Sequence, residues 1–560
     1  MSAGRRRRRR AHLLPLAAIA VLAFAGGVVV GHGQGANERA VASEYVRDWA
    51  KSDFVGMYGL LDAASRHAMD EAAFARAYRR VADTATLIAV FPGRVQRLRG
   101  HQVAVAMRMR TRLFGILAAA LEVPVSTSST GTYVHFAPTL LFPGLHAGEH
   151  LTRNAVMPTR ADLLASNGTP LARGPHLDSP IPDVAGAIAG VLGPIPARQT
   201  ARYTALGYPP STKVGLDGLE RIFQVRLAGT PGGTLFAGRR VLAQRPAQAA
   251  AALRTTIDPV MERAVIAAIA GRYAGVVAMD PRTGGVLAAA GVAFSGLQPP
   301  GSTMKIVTAT GLLGAGLVSL NDTFTIATEA TIDGFALQNA NGEACGGTLI
   351  NSFAVSCNSV FAPLGVRLGA SRFLSIAQRF GFNAPSPLSG EPASTIPPAS
   401  VHLSNLELGA SAIGQGKVQA TALQMADVAA TIAMGGQRPI PTLVAGAPPR
   451  FVAVTSRRVA HAVQEMMVAV VNAADGTGTL AQLPGVEVAG KTGTAELRNT
   501  TDTQNPNANS PANTDSWFVG YAPVGHPRIV VGALFPGQGA GGATAAPATR
   551  EVLQAGLNRQ

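Results

Sequence analysis

The chain is sparing with lysine. Of its 48 basic residues only five are lysine: Lys51, Lys213, Lys305, Lys417 and Lys491. Arginine does not give up its proton in a protein, whereas a buried lysine can. A chain that otherwise uses arginine therefore marks, by its lysines, places where charge alone is not enough. Lys305 closes the run Ser302-Thr303-Met304-Lys305. Pro299, Pro300 and Gly301 precede it and the apolar run Ile306 to Val318 follows, a pattern that predicts a helix start. Ser302 then sits at the positive end of a buried helix, with Lys305 one turn on and on the same face. Burial lowers a lysine pKa, so Lys305 is suited to act as base for the Ser302 hydroxyl.

Two further motifs follow in order. Ser356-Cys357-Asn358 lies 54 residues after Ser302. Its hydroxyl is a proton relay and its amide can orient a substrate carbonyl. Lys491-Thr492-Gly493-Thr494 lies between Val486-Glu487-Val488-Ala489 and Ala495-Glu496-Leu497, which read as strand. A lysine and hydroxyls on a strand edge can hold a carboxylate, and glycine there lets a peptide approach the backbone. Each motif alone is weak, because Ser-x-x-Lys arises by chance in most long chains. The three in this order match the signature of serine acyl-enzymes that take Ser-x-x-Lys, a Ser-x-Asn element and Lys-Thr-Gly together, with cysteine in the middle position. Two other readings compete. Gly485 to Thr492 fits a phosphate-binding loop, which requires a helix opening at Lys491. A Ser-His-Asp hydrolase finds no Gly-x-Ser-x-Gly, and His402, His461 and His526 have no motif around them.

These residues need a scaffold. With 560 residues and 47% hydrophobic content the chain can build several cores. Residues 36–82 show helical spacing, and residues 85–135 alternate as strands, as in Val103 to Met109. Residues 36–148 thus predict a small α+β domain. Residues 149–250 are rich in glycine and proline and predict an irregular linker domain with one helical stretch near Leu216–Leu227. Residues 251–560 predict a mixed α/β domain that holds all three motifs. Asn499 to Asn513 has no apolar period and reads as a surface loop. At the front, residues 1–11 form a basic tail containing Arg5–Arg10, and residues 12–31 an apolar stretch. Its run from Leu13 to Val30 would span roughly 27 Å as a helix, enough for a bilayer core. The arginines favour the cytoplasmic side, so an anchor here leaves the remainder outside; a cleavable signal peptide is the alternative. The net charge of +16 comes without a basic stripe interleaved with aromatics, which argues against nucleic acid. Two cysteines, Cys345 and Cys357, are too few for a disulfide scaffold or a zinc site. They can form one disulfide outside the membrane, or Cys357 can pack as a small buried residue.

Pro300-Gly301-Ser302-Thr303-Met304-Lys305, Ser356-Cys357-Asn358-Ser359, Gly414-Gln415-Gly416, Gly490 to Glu496 and Trp517 to Pro523 together resemble class B penicillin-binding proteins. Thr84 to Leu87 and Leu141 to Leu145 resemble the amino-terminal domain of relatives of the low-affinity resistance type, a cone like a nuclear transport factor. Gly215 to Glu220 resembles the family's linker. The resemblance implies a multidomain α/β protein. Its carboxy-terminal serine transpeptidase domain would have a β-lactamase-like antiparallel sheet flanked by helices. It implies a peptidoglycan D,D-transpeptidase, with Ser302 as nucleophile, Lys305 as base and Ser356 and Asn358 completing the relay. Lys491, Thr492, Gly493 and Thr494 would bind the substrate carboxylate. It calls for no cofactor or metal. Stem peptides and β-lactams are the implied ligands, and glycosyltransferase and wall-synthesis proteins the implied partners. Alternatives within this frame are a D,D-carboxypeptidase, a β-lactam sensor, a β-lactamase and a non-enzymatic scaffold of wall synthesis.

Overall fold

The computed structural model describes residues 35–97, 100–398, 404–497 and 510–559. The basic tail 1–11, the whole of the expected anchor 12–31, and most of the loop Asn499–Asn513 lie outside the described residues. Among the described residues no single helix is long and apolar enough to cross a membrane. The chain folds as two compact units, and residues 149–250 contribute to both.

The first unit takes residues up to Thr159 together with Pro194–Lys213 and Ala228–Ala250. Four helices open it: α1 (35–51), α2 (Phe54–Gly59), α3 (Ala63–Ala68) and α4 (Glu71–Ala85). Asp53, Asp62 and Asp70 each accept a hydrogen bond from a first-turn N–H, so α2, α3 and α4 each begin at an aspartate cap. Four antiparallel strands follow: β1 (Leu87–Arg97), β2 (Gln102–Thr111), β3 (Gly115–Ser128) and β4 (Gly131–Val134). The alternation seen in the sequence is the alternation of faces: Val103, Val105, Met107 and Met109 are buried while Arg108 and Arg110 are exposed. Inside, the Tyr45 and Tyr78 hydroxyls share a 2.7 Å hydrogen bond, and Tyr78 donates to Leu140 O. These partners satisfy two polar groups buried in an aromatic core.

The second unit is built on a five-stranded antiparallel sheet, and its strands are β5 (Gly275–Asp280), β6 (Gly285–Gly291), β11 (Ala489–Glu496), β12 (Thr514–Ala522) and β13 (Ile529–Phe535). Their spatial order is β6-β5-β13-β12-β11, which leaves β11 at the edge. Between β6 and β11 the chain makes α6 (Lys305–Gly314) and two hairpin-like pairs. These are β7 (Thr323–Ala327) with β10 (Cys345–Thr348), and β8 (Glu329–Ile332) with β9 (Phe335–Gln338). The helices α7 (Leu349–Ala354), α8 (Asn358–Leu368), α9 (Ala370–Arg379), α10 (Ala422–Ala433) and α11 (Arg457–Asn472) follow. The helices α5 (Pro259–Ile269) and α12 (Ala545–Asn558) cover the sheet face carrying Val276, Ala278, Phe518 and Val531. Val277, Met279, Trp517 and Val519 face the other way, into a core with Met304, Met425 and Met466. With both faces covered, β5, β6 and β13 have no solvated side, which explains their nearly continuous apolar runs.

The apolar run after Lys305 is a shorter helix than the sequence predicts. α6 stops at Gly314, where Gly314-Ala315-Gly316 supplies a left-handed turn at Gly316. The strand expected from Val486 begins only at Ala489, and the helical stretch near Leu216–Leu227 is two short helices, Gly218–Ile222 and Gln224–Leu227. Cys345 and Cys357 are joined by a disulfide, so the bonded alternative is the one realised. Thiol counting checks this. Denatured without reductant, the protein should show no free thiol, and after reduction it should show both; two thiols before reduction contradict the bond.

Candidate active site

Ser302 lies in a 3-10 turn, Gly301–Met304, that leads directly into α6. Lys305 is the first residue of that helix. The helix is apolar on every side and nearly all of it is buried, so the lysine is carried into the core with it. Lys305 has no exposed surface. Its Nζ donates to Ser356 O at 2.6 Å and to Asn358 Oδ1 at 2.8 Å, with Ser356 Oγ at 3.4 Å. Phe361 presents its ring 5.7 Å from the amine. Desolvation pushes the Lys305 pKa well below the ordinary lysine range, and the nearby Lys491 charge pushes it further the same way. Among the described residues no hydrogen bond joins the Ser302 hydroxyl to Lys305 or Ser356. In unliganded sites such catalytic hydrogen bonds are often long.

The second motif spans the gap between two helices, and its geometry is a helix C-cap. Ser356 N donates to Phe353 O and Cys357 N donates to Ser352 O, the paired bonds of a Schellman turn closing α7. The turn requires a left-handed residue, and Ser356 fills it with φ 63°. Glycine is the usual occupant, and a non-glycine residue there costs about 1–3 kcal/mol. The strained turn aims the Ser356 carbonyl and hydroxyl at Lys305, and Asn358 starts α8 immediately afterwards. The Asn358 amide is held at both ends: Oδ1 accepts from Lys305, and Nδ2 donates to Gln338 O at the end of β9.

Strand β11 brings in the third motif as an edge strand, with no helix at Lys491, which excludes the phosphate-loop reading. Lys491 is fully buried, and burial lowers its pKa to about 7. Its Nζ lies 3.2 Å from Thr492 O and 5.4 Å from the Phe353 ring. Thr494 Oγ1 accepts from Gly541 N at 3.2 Å. Close backbone approach explains the glycines here. A methyl on Gly493 would meet Pro300 O at 2.7 Å, and one on Gly301 would meet Thr494 O at 2.8 Å. Gly301 N also donates to Gly414 O, which seats the Gly414-Gln415-Gly416 segment beside the serine turn. All eight residues singled out in the sequence thus belong to three adjoining elements.

Three supports surround the motifs; the disulfide was one of two readings left open by the sequence, and Asn339 and Thr477 were not legible in it. Asn339 accepts from Ser359 N at 2.8 Å and donates to Ala327 O and Glu343 O, tying β7 and the segment before β10 to the start of α8. The Cys345–Cys357 bond fastens the same loop to β10. Thr477 bridges the end of α7, just before the second motif, and the third motif, donating from N to Ala354 O and sharing a 2.7 Å hydrogen bond with Thr492 Oγ1. The glycines in Gly476-Thr477-Gly478, between a long helix and a strand, were the available signal for Thr477.

The comparisons with known proteins agree with this geometry. The family described as penicillin binding protein transpeptidase domain matches residues 274–554, half of the chain and all three motifs. This chain belongs to the penicillin-binding protein transpeptidase family. A second family, described as NTF2-like N-terminal transpeptidase domain, matches residues 37–149. The chain is 33% identical over 293 residues to the peptidoglycan D,D-transpeptidase PbpA of Mycobacterium tuberculosis. That match covers 47% of this chain and 56% of PbpA, so the chain spans little more than half the length of this curated relative. The D,D-transpeptidase domain of a peptidoglycan glycosyltransferase from Eggerthella lenta is similar at 27% identity and a TM-score of 0.57, over 72% of this chain and 99% of that one. M. tuberculosis penicillin-binding protein A, solved as a penicillin G acyl-enzyme complex, is similar at 26% identity and a TM-score of 0.56, over 71% of this chain and 100% of that one.

The five lysines make the electrostatics directly measurable. In protein labelled with ε-13C lysine, the signals removed by Lys305→Arg and Lys491→Met should titrate below the ordinary lysine range. In Lys491→Met the Lys305 signal should titrate at higher pH than in wild type, because removing a positive neighbour relieves repulsion on the protonated amine. An unmoved Lys305 titration would show that the two lysines do not interact.

Proposed function

We propose that this protein is a peptidoglycan D,D-transpeptidase working through an acyl-enzyme on Ser302. What carries the reading is the buried Lys305 amine, hydrogen-bonded to the Ser356–Asn358 turn and one helical turn from the serine. Ser302 Oγ attacks the carbonyl of the penultimate D-alanine of a stem peptide and Lys305, neutral because desolvated, takes its proton. The backbone N–H groups of Ser302 and Thr494 receive the oxyanion, each such donor being worth about 3–4 kcal/mol. The C–N bond breaks, the proton passes by way of Lys305 and Ser356 to the leaving amine, and terminal D-alanine departs. The amine of a second peptide then attacks the ester, forming the cross-link and freeing Ser302. A β-lactam enters the same path, but its leaving nitrogen stays tethered after ring opening and the ester persists.

In this reading Asn358 fixes the Lys305 amine, and Lys491, Thr492, Gly493 and Thr494 hold the substrate's terminal carboxylate. The apolar stretch 12–31 anchors the chain, so that residues 36–560 lie outside the cytoplasmic membrane. Residues 36–148 act as a non-catalytic spacer or partner-binding domain, 149–250 as a linker, and 251–560 as the catalytic domain. Glycosyltransferase and other wall-synthesis proteins are the partners this placement favours.

Peptide mapping after exposure to penicillin G tests the assignment. Wild type should carry one adduct, on Ser302, and Ser302→Ala should carry none while remaining folded. Lys305→Arg should acylate about as poorly as Lys305→Ala, a loss of roughly 10²–10⁴, since arginine keeps the charge and cannot accept the proton. An adduct on another residue, or near wild-type acylation by Lys305→Arg, overturns these roles.

A further inference from the structure

Away from the three motifs, the second unit contains an open surface groove of about 580 Å³ where the far end of α6 meets the length of α9 and the start of α11. Arg372, Arg379 and Arg458, all exposed, line it, and no carboxylate does. No ion pair among the described residues includes any of the three. Arg379 is fixed by a 3.4 Å hydrogen bond from Nη1 to Val454 O. A space of that volume is about 10 Å across, close to one Debye length at physiological salt, so the three like charges are only partly screened from one another. An anion between them relieves that repulsion.

The backbone adds to the same sign. Helix α9, ten residues long, opens after Gly369, which has no side chain to cap the free N–H groups of its first turn. Helix α11, sixteen residues long, begins at the same space, with one of its first-turn N–H groups, that of Val459, already donating to the Ser456 hydroxyl. Both positive helix ends favour negative charge. The hydroxyls of Ser371, Ser375 and Thr455 supply donors on the wall. The carboxyl end of α6 also borders the groove through Gly311, Gly314 and Ala315. Its carbonyls oppose an anion, as does the last turn of α9, which borders the same space through Ile376 and Arg379, so the three arginines carry the balance.

We propose that this groove binds a phosphate group carried on a larger molecule. Guanidinium forks match phosphate oxygens two at a time, hydroxyls and free N–H groups complete a tetrahedral acceptor, and the volume exceeds a bare ion. The phosphate ester can belong to a lipid headgroup or to a soluble molecule, and the chemistry recognised is the same. The site stands independently of the reaction assigned to Ser302.

Protection of arginines from phenylglyoxal, read by peptide mass spectrometry on the full chain, tests this. The probes are inorganic phosphate and glycerol 1-phosphate with the chain in neutral detergent, and phosphatidylglycerol against phosphatidylcholine nanodiscs. At matched ionic strength, modification of Arg372, Arg379 and Arg458 should slow severalfold relative to chloride, while exposed arginines of the first unit are unaffected. Protection by glycerol 1-phosphate in detergent supports a soluble ester, and protection only in phosphatidylglycerol nanodiscs supports a lipid headgroup. The double variant Arg379→Gln/Arg458→Gln should still be acylated by penicillin G yet lose protection at Arg372. Equal protection by chloride, protection spread over all exposed arginines, or full protection of Arg372 in the double variant overturns the proposal.

Discussion

A lysine amine without solvent is the constraint around which the second unit is arranged. An amine taken out of water either loses its proton or must find strong acceptors. Lys305 has acceptors in Ser356 O and Asn358 Oδ1, and a neighbouring positive lysine that discourages protonation. That combination keeps it hydrogen-bonded and available as a base. The apolar helix beginning at Lys305 buries the amine, and the left-handed turn at Ser356 supplies a carbonyl that an ordinary helix end would point elsewhere. The strain of that turn is sustained by its surroundings: the Schellman hydrogen bonds, the disulfide to β10 and the four-way grip of Asn339.

The third element had to be brought close without filling the space between. Gly301, Gly414 and Gly493 serve this purpose, since a methyl at any of them would strike backbone oxygen of a neighbouring segment. The serine turn, the Gly414 segment and the edge strand therefore pack backbone to backbone. The edge position of β11 leaves one side of that strand unpaired within the sheet, where an extended peptide can lie in the proposed reaction.

Much of this was legible in the sequence because it is written locally. Lysines in an arginine-rich chain, glycines beside Ser302 and Lys491, and the two-residue alternation of Val103 to Met109 each report a nearby physical need. What was not legible depends on distant contacts. Asn339 and Thr477 are unremarkable in sequence, and only the fold gives them partners 20 and 15 residues away. The Schellman turn was hidden because serine stands where glycine would have announced it. The division of residues 149–250 between two units follows from strands such as Leu151–Val156 and Gly232–Ala237 pairing across 76 to 86 residues, which no local period records.

The central claim, that Lys305 acts as a desolvated neutral base held by the Ser356–Asn358 turn, is tested most directly by the pH dependence of acylation by penicillin G in wild type and Asn358→Asp. Protonation removes the base, so the wild-type rate should fall as pH drops through the depressed Lys305 pKa. A carboxylate in place of the amide, 2.8 Å from the amine, should favour the protonated form and raise that pKa. The account predicts an acid limb displaced to higher pH in Asn358→Asp. Superimposable acid limbs in the two proteins would contradict it.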